Sequence, residues 1–295
     1  MYDGKDEKGG AVCGVCFRQC RLKEGQTGAC GARACREGAV RPVFYGQLSF
    51  LALDPIEKKP LAHFYPGSLI LSAGSLGCNL HCLFCQNHEI AQAGAGGRFM
   101  AETESVPPER LVELAESLKR RGNIGIAFTY NEPLVAYEYV RDTAKLAHGR
   151  GMKCVLVTNG TASLSVLSEL APYIDAMNID LKGFTDRYYR EVLQGDRGMT
   201  MDFIREAVRR CHVELTTLIV PGENDFPEEM RELSGWVAGL QDVYGGKSGK
   251  EIPLHISRFF PRYRMTDRGP TDIRTVYALA DLAREQLKYV YTGNC

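Results

Sequence analysis

From about residue 68 the chain alternates short apolar runs with longer amphipathic stretches. SLILSA (68–73), NIGIAFT (123–129), MKCVLVT (152–158), IDAMNIDL (174–181), HVELTTLIV (212–220) and PLHISRF (253–259) are near-continuous hydrophobic runs, the pattern of strands buried on both faces. Between them lie segments with helical spacing. PPERLVELAESLKRR (107–121) opens with prolines and carries Leu111, Leu114, Ala115 and Leu118 on one face. EPLVAYEYVRDTAKLAHGRG (132–151) ends on glycine, and TASLSVLSELA (161–171) begins at a Thr or Ser cap. Two helical stretches are expected over roughly 185–210, and PEEMRELSGWVAGL (227–240) is a further helix. TDIRTVYALADLAREQL (271–287) closes the pattern, with KYVYTG (288–293) as a last strand. The repeat predicts an α/β fold, a partial (β/α)6 TIM-type barrel, whose chemistry sits at the C-terminal ends of its strands.

Residues 1–67 break the alternation. They are glycine- and cysteine-rich at first, then read FYGQLSFLALDPIEKKPLAHFYPG. The expected division is a small Cys-rich metal-binding subdomain plus lead-in over 1–67 and a barrel over 68–295. Composition adds little: 44% hydrophobic and 24% charged residues are ordinary for a globular chain. Lys plus Arg equals Asp plus Glu, 36 against 36, so no global field draws the chain to nucleic acid or anionic lipid. KRRG (119–122) and RFFPRYR (258–264) are local basic spots that fit a solvated helix end and a strand-exit loop. No apolar run approaches the roughly 18 residues of a membrane span. The charged start, MYDGKDEKGG, lacks the apolar core of a secretory signal, and the cytoplasm is the expected location.

Cysteine usage changes the picture. Seven of the eleven cysteines bunch into two groups: Cys13, Cys16, Cys20 and Cys30, then Cys78, Cys82 and Cys85. In a reducing compartment such clusters bind metal more often than they form disulfides. The first group supplies four thiolates within eighteen residues, with glycines 14, 25, 28 and 31 for tight turns. By ligand count it suits zinc or an iron–sulfur cluster equally. The second, in GCNLHCLFCQN (77–87), supplies only three, and a ligand set left open marks a catalytic metal. Cys35 is a fifth, free candidate beside the first group; Cys154 lies in an apolar strand; Cys211 and Cys295 lie near element ends, where a thiol can be reactive.

The C-x3-C-x2-C spacing, with the aromatic Phe84 before its third cysteine and a first barrel strand ahead of it, resembles the radical SAM enzymes. That resemblance implies a [4Fe–4S] cluster on Cys78, Cys82 and Cys85, its fourth iron chelated by S-adenosylmethionine. It implies reductive cleavage to a 5′-deoxyadenosyl radical that abstracts hydrogen, with reduced flavodoxin or ferredoxin as electron donor. Polar residues at the following strand ends fit the cofactor. TYNEP (129–133) stands where the activating-enzyme branch has Gly-Gly-Glu-Pro, so Asn131 and Glu132 would take the methionine ammonium. The departure is Tyr130-Asn131 in place of two glycines. Thr158 and Asn159 would face the ribose or methionine, although Asn159-Gly160 also reads as a turn. Asp180 and Lys182 share one strand face and would meet ribose hydroxyls and carboxylate, or form an interior ion pair. VPGEND (220–225) is another pattern of the activating enzymes, and His255 and Arg258 would serve the adenine end or the substrate.

CGVCFRQCRLKEGQTGACGAR, ALDPIEKKPLAHFYPG and GCNLHCLFCQNHEIAQ together resemble the radical SAM component of the AmmeMemoRadiSam group, whose members are often labelled pyruvate formate-lyase activating enzyme-like. The label implies a glycyl radical made on a partner protein. Partner substrates would then include the Memo-like or AMMECR1-like proteins for which the group is named. Many members continue past the last strand into a second cysteine-bearing tail, whereas this chain stops at Cys295. Two other readings stay open: a non-catalytic iron–sulfur or zinc protein for electron transfer or scaffolding, and a radical SAM enzyme that modifies nucleic acid. The first leaves TYNEP and NIDLKG unexplained, and the balanced charge speaks against the second.

Overall fold

A computed structural model describes residues 10–94 and 102–295; the charged start, read above as no secretory signal, lies outside them over 1–9. The N-terminal region carries a small antiparallel hairpin, β1 (Arg33–Arg36) and β2 (Ala39–Pro42). The main sheet begins at β3 (Phe50–Pro55), which pairs antiparallel with β4 (Leu69–Gly74). Thereafter strands and helices alternate as the pattern requires. In chain order they are α1 (Pro108–Ser117), β5 (Asn123–Phe128), α2 (Tyr137–Gly149), β6 (Lys153–Thr158), α3 (Leu164–Leu170) and β7 (Ala176–Asp180). The second half continues with α4 (Arg197–Arg210), β8 (His212–Ile219), α5 (Pro227–Ala238), β9 (Leu254–Arg258), α6 (Ile273–Arg284) and β10 (Val290–Gly293).

The sheet order is β10-β9-β8-β7-β6-β5-β4-β3, parallel throughout except at β3. Its edges, β3 and β10, do not pair with each other, so the expected partial barrel is what forms. Outward-facing strand residues such as Ile126, Cys154, Met177 and Leu215 pack on the apolar stripes of the helices, for example Val112, Ala144, Leu167 and Phe203. Asp196 caps α4 by accepting from Met199 N–H at 2.8 Å, which is worth about 1 kcal/mol.

The lead-in is part of the barrel. Residues 50–55, expected ahead of the boundary at 67, form the antiparallel edge of the main sheet. The turn after them pushes Ile56, Leu61 and Phe64 into the N-terminal end of the barrel against Ile70, Ala127, Val155 and Ala176. That end is closed by Glu214, whose side chain is fully buried. Its carboxylate accepts from Ala62 N–H (2.9 Å), His63 N–H (2.7 Å), His212 Nε2 (2.9 Å) and His255 Nε2 (2.7 Å). His255 is therefore not at the cofactor end. It is the second residue of β9, and in a parallel barrel a residue near a strand's start faces the N-terminal end.

Burial alone would raise the Glu214 pKa, but hydrogen bonds from His212, His255 and the two backbone N–H groups hold it down to about 2. A depressed carboxylate contributes stability above its unfolded pKa and loses that contribution as pH falls through the folded value. Glu214→Gln should cost about 3 kcal/mol at neutral pH, since it leaves buried donors without their charge. Urea unfolding across pH should also show the wild-type advantage shrinking from pH 4.5 down to about 2. Equal stability of the two proteins at neutral pH would contradict this account of the barrel floor.

Candidate active site

The three-cysteine loop leaves the C-terminal end of β4 and is fixed from several sides. Gly77 opens it with φ 91°, and a side chain there would meet Ala32 Cβ at 2.6 Å, so only glycine fits. On one flank His81 N–H donates to Leu193 O (2.9 Å) and Leu83 N–H to Val192 O (3.3 Å), both on the π-helical turn Tyr188–Leu193. On the other, Arg264 N–H donates to Leu83 O at 2.9 Å. Leu80, Phe84, Tyr188, Tyr189 and Phe259 form an apolar cluster beneath it, with the Phe84 and Phe259 rings edge-on at 6.1 Å.

The sulfurs of this loop lie among N–H donors. Leu80 N–H points at Cys78 Sγ (3.4 Å), as does Asn159 Nδ2 (3.6 Å). Burial pushes all three thiols above their ordinary range, Cys82 to about 12. Buried thiols of this kind are poor nucleophiles on their own and ready ligands for a soft metal, which takes them as thiolates. Among the described residues no three Cys, His, Asp or Glu side chains stand in the arrangement of ligands to a single ion. Three soft donors on one loop, with two N–H groups facing Cys78, suit an iron–sulfur cluster.

Glu132 lies at the centre of the polar surroundings, only 2% exposed. Its carboxylate accepts from Thr158 Oγ1 (2.7 Å), Asn159 N–H (2.8 Å) and Leu134 N–H (3.0 Å), and its own N–H donates to Gly77 O (3.2 Å). Burial pushes its pKa up to about 7, against the pull of those donors. Thr158 and Asn159 thus reach the site through Glu132, and Asn159 Nδ2 also donates to Asn79 Oδ1 at 2.9 Å. Asp180 and Lys182 pair with each other at 2.7 Å. Burial works against the Lys182 charge, but Asp180 and the sulfurs of Cys82 and Cys78 outweigh it and raise its pKa.

Asn131 is placed differently from the expectation that it grips a ligand. Its amide accepts from Ser75 N–H (2.9 Å) and donates to Gly77 O (3.1 Å), so it holds the turn that starts the cysteine loop. Asn87, just past the third cysteine, clamps the same region by donating to Tyr130 O at 2.8 Å.

Residues without an assigned role in the sequence complete the support. Tyr130 stands in the left-handed region, φ 73°, where glycine would be unstrained. Its hydroxyl donates to Asp54 Oδ2 (2.7 Å), and the same carboxylate oxygen pairs with Lys59 Nζ (2.9 Å). Burial opposes the Asp54 charge, but Lys59 and Tyr130 hold its pKa down to about 2. The signal was present in ALDPIEKKP and in the missing glycine of TYNEP, but nothing in either connects them.

Cys13, Cys16, Cys20 and Cys30 line one small cavity together with Arg18, Arg33 and Val135. Arg33 is buried and binds Glu138 through both terminal nitrogens (2.6 and 2.8 Å), tying the knuckle to α2. Cys35 is buried in β1 and Cys154 in the core. Cys211, expected near a reactive position, is instead buried, and its thiol is pushed up to about 12 by that burial. Cys295 is exposed.

Comparison with known proteins gives a consistent result. A family model described as the Radical SAM superfamily matches residues 74–234. An uncharacterized protein of Methanocaldococcus jannaschii is 40% identical over 296 residues, covering 100% of this chain and 84% of its own length. The pyruvate formate-lyase-activating enzyme of Clostridium pasteurianum is 27% identical over 170 residues, 57% of this chain and 68% of its own length. Among solved structures, SuiB of Streptococcus suis bound to S-adenosylmethionine superposes with a TM-score of 0.57 at 14% identity, over 75% of this chain and 49% of SuiB. HydG, a maturase of the [FeFe]-hydrogenase, gives 0.54 at 14% identity over 73% of this chain and 48% of its own. The chain spans about half the length of these two, and the likeness to them is one of fold.

The Asp54–Lys59 pair offers a direct check of the loop's support. Asp54→Asn should destabilise by about 3 kcal/mol, because it strands the Lys59 ammonium in a site where its side chain is 3% exposed. Adding Lys59→Met should recover at least half of that loss in chemical denaturation. A double variant no more stable than the single one would remove the pair from the account.

Proposed function

The chain belongs to the radical SAM superfamily, a superfamily of enzymes related to the glycyl-radical activating enzymes, and from this we propose that it reductively cleaves S-adenosylmethionine to abstract hydrogen from a substrate. Membership implies S-adenosylmethionine and a [4Fe–4S] cluster as cofactors and sets aside the scaffold reading. When bound, the cluster supplies the electron for that cleavage. The observation that carries the proposal is the three-cysteine loop at the C-terminal strand ends, with the Glu132 carboxylate behind it, buried and met only by neutral donors.

In this reading Cys78, Cys82 and Cys85 hold the cluster. Glu132 accepts the ammonium of the methionine part, because no cation of the chain satisfies its charge among the described residues. Thr158 and the Asn159 backbone fix the rotamer of Glu132, and Asn131 orients the loop rather than the ligand. Asp180 and Lys182 offer a carboxylate and an ammonium to ribose hydroxyls and the cofactor carboxylate. Phe84 forms the apolar wall beneath. His255 has no part.

The match to pyruvate formate-lyase-activating enzymes supports a protein as substrate, and Memo-like or AMMECR1-like proteins are the partners we propose for testing. Reduced flavodoxin or ferredoxin would be the electron donor. We further assign a metal, zinc or iron–sulfur, to Cys13, Cys16, Cys20 and Cys30. Eleven unpaired thiols support a reducing, cytoplasmic setting, and no helix among the described residues is long and apolar enough to cross a membrane.

The test is anaerobic reconstitution, reduction with dithionite and quantification of 5′-deoxyadenosine. Cys82→Ala should abolish product. Glu132→Gln should weaken S-adenosylmethionine binding about tenfold, or about 1.4 kcal/mol, with iron content unchanged. A protein with its full iron that binds no S-adenosylmethionine would contradict the proposal.

A further inference from the structure

The N-terminal knuckle sits against the three-cysteine loop. Arg18 Nε donates to Asn79 O (2.9 Å) and its Nη2 to Gln194 O (2.8 Å). Ser163 N–H donates to Val15 O at 2.8 Å, and Phe17 joins the apolar cluster under Phe84. Most directly, the Asn79 side chain faces the Cys16 sulfur while its Oδ1 accepts from Asn159 Nδ2 (2.9 Å), whose nitrogen also reaches Cys78 Sγ (3.6 Å). A sulfur of each cysteine group is thus reached from the other across two amide side chains.

The knuckle has the internal order of a thiolate site. N–H groups two residues ahead face three of its sulfurs: Val15 on Cys13, Arg18 on Cys16 and Ala32 on Cys30. Arg33, 4% exposed, leaves its Nε without an acceptor, and Cys13 is beside it. A buried N–H of a cation without a partner is costly, and a metal-bound thiolate is the acceptor it lacks.

The choice between a single ion and a cluster rests on how the sulfurs are grouped. Tetrahedral zinc with Zn–S bonds of about 2.3 Å draws its sulfurs to roughly 3.8 Å from one another. The four sulfurs share a cavity, yet no three stand in single-ion arrangement. The same holds for Cys78, Cys82 and Cys85, whose superfamily ligand is a cluster. Resting on the reading that this knuckle binds metal, we propose that Cys13, Cys16, Cys20 and Cys30 hold a second iron–sulfur cluster rather than zinc, joined to the three-cysteine loop through Asn79 and Asn159. Arg33 and Arg18 then offset the negative charge of a buried four-thiolate cluster.

The experiment is metal analysis of the full chain, grown with iron and zinc and purified without oxygen. Wild type should carry about eight irons and negligible zinc, and the Cys78→Ala/Cys82→Ala/Cys85→Ala variant should keep about four, with the visible absorption of a cluster. One zinc per chain and no iron in that variant would overturn the inference while leaving the catalytic reading intact. Should the triple variant not fold, Cys16→Ala in the otherwise intact protein decides: iron should fall by about half, and unchanged iron overturns the proposal. Asn79→Ala, at unchanged iron, should move the reduction midpoint of the N-terminal cluster, since it removes the amide facing Cys16. An unmoved midpoint removes the bridge.

Discussion

Glu132, through its carboxylate and its backbone N–H, joins the ends of three strands at the mouth of the barrel. Its oxygens gather Thr158 and Asn159 from the end of β6 and the start of its own helical turn, while its backbone N–H holds the first turn of the cysteine loop after β4. Asn159 then carries the connection on to Asn79 and Cys78. One buried group therefore sets the position of the sulfurs relative to the next strand ends. Its pKa of about 7 shows that three neutral donors do not fully offset its desolvation.

A second buried carboxylate at the opposite end makes the contrast. Glu214 meets two imidazole N–H groups and two backbone N–H groups, and its pKa is held down to about 2. Both carboxylates are desolvated; they differ in how completely the chain answers them. Glu214 is saturated by its own protein, which makes it a structural tie across β8, β9 and the lead-in. Glu132 meets only neutral donors beside a loop of soft ligands, and in the proposed reading a ligand ammonium would supply the missing charge. That difference separates the floor of this barrel from its working end.

Much of this was legible in the sequence. The alternation of apolar runs and amphipathic stretches specified the parallel strands and their helices, since β4 to β7 are buried on both faces and each helix on one. The C-x3-C-x2-C loop and TYNEP both follow the C-terminal ends of their strands, as the pattern of runs predicted. What the sequence could not show was which end of a strand a side chain faces. His255 and Thr216 sit side by side in register on neighbouring strands at the same depth, and periodicity carries no depth. Asn131 has the right chemistry for a ligand, but backbone groups of the preceding strand's exit occupy it. Asp54, Lys59 and Tyr130 are separated by up to 76 residues and meet only because β3 joins the sheet edge. Asn79 reads as a loop residue between two cysteines until the N-terminal knuckle is folded against it.

The account stands on an open-liganded cluster that meets S-adenosylmethionine at the Glu132 end. Low-temperature electron paramagnetic resonance of the dithionite-reduced protein, recorded with and without S-adenosylmethionine, tests this most directly. The spectrum of the three-cysteine cluster should change shape when the cofactor is added to wild type, and change far less in Glu132→Gln. A reduced-cluster spectrum that is the same with and without the cofactor in wild type would contradict it.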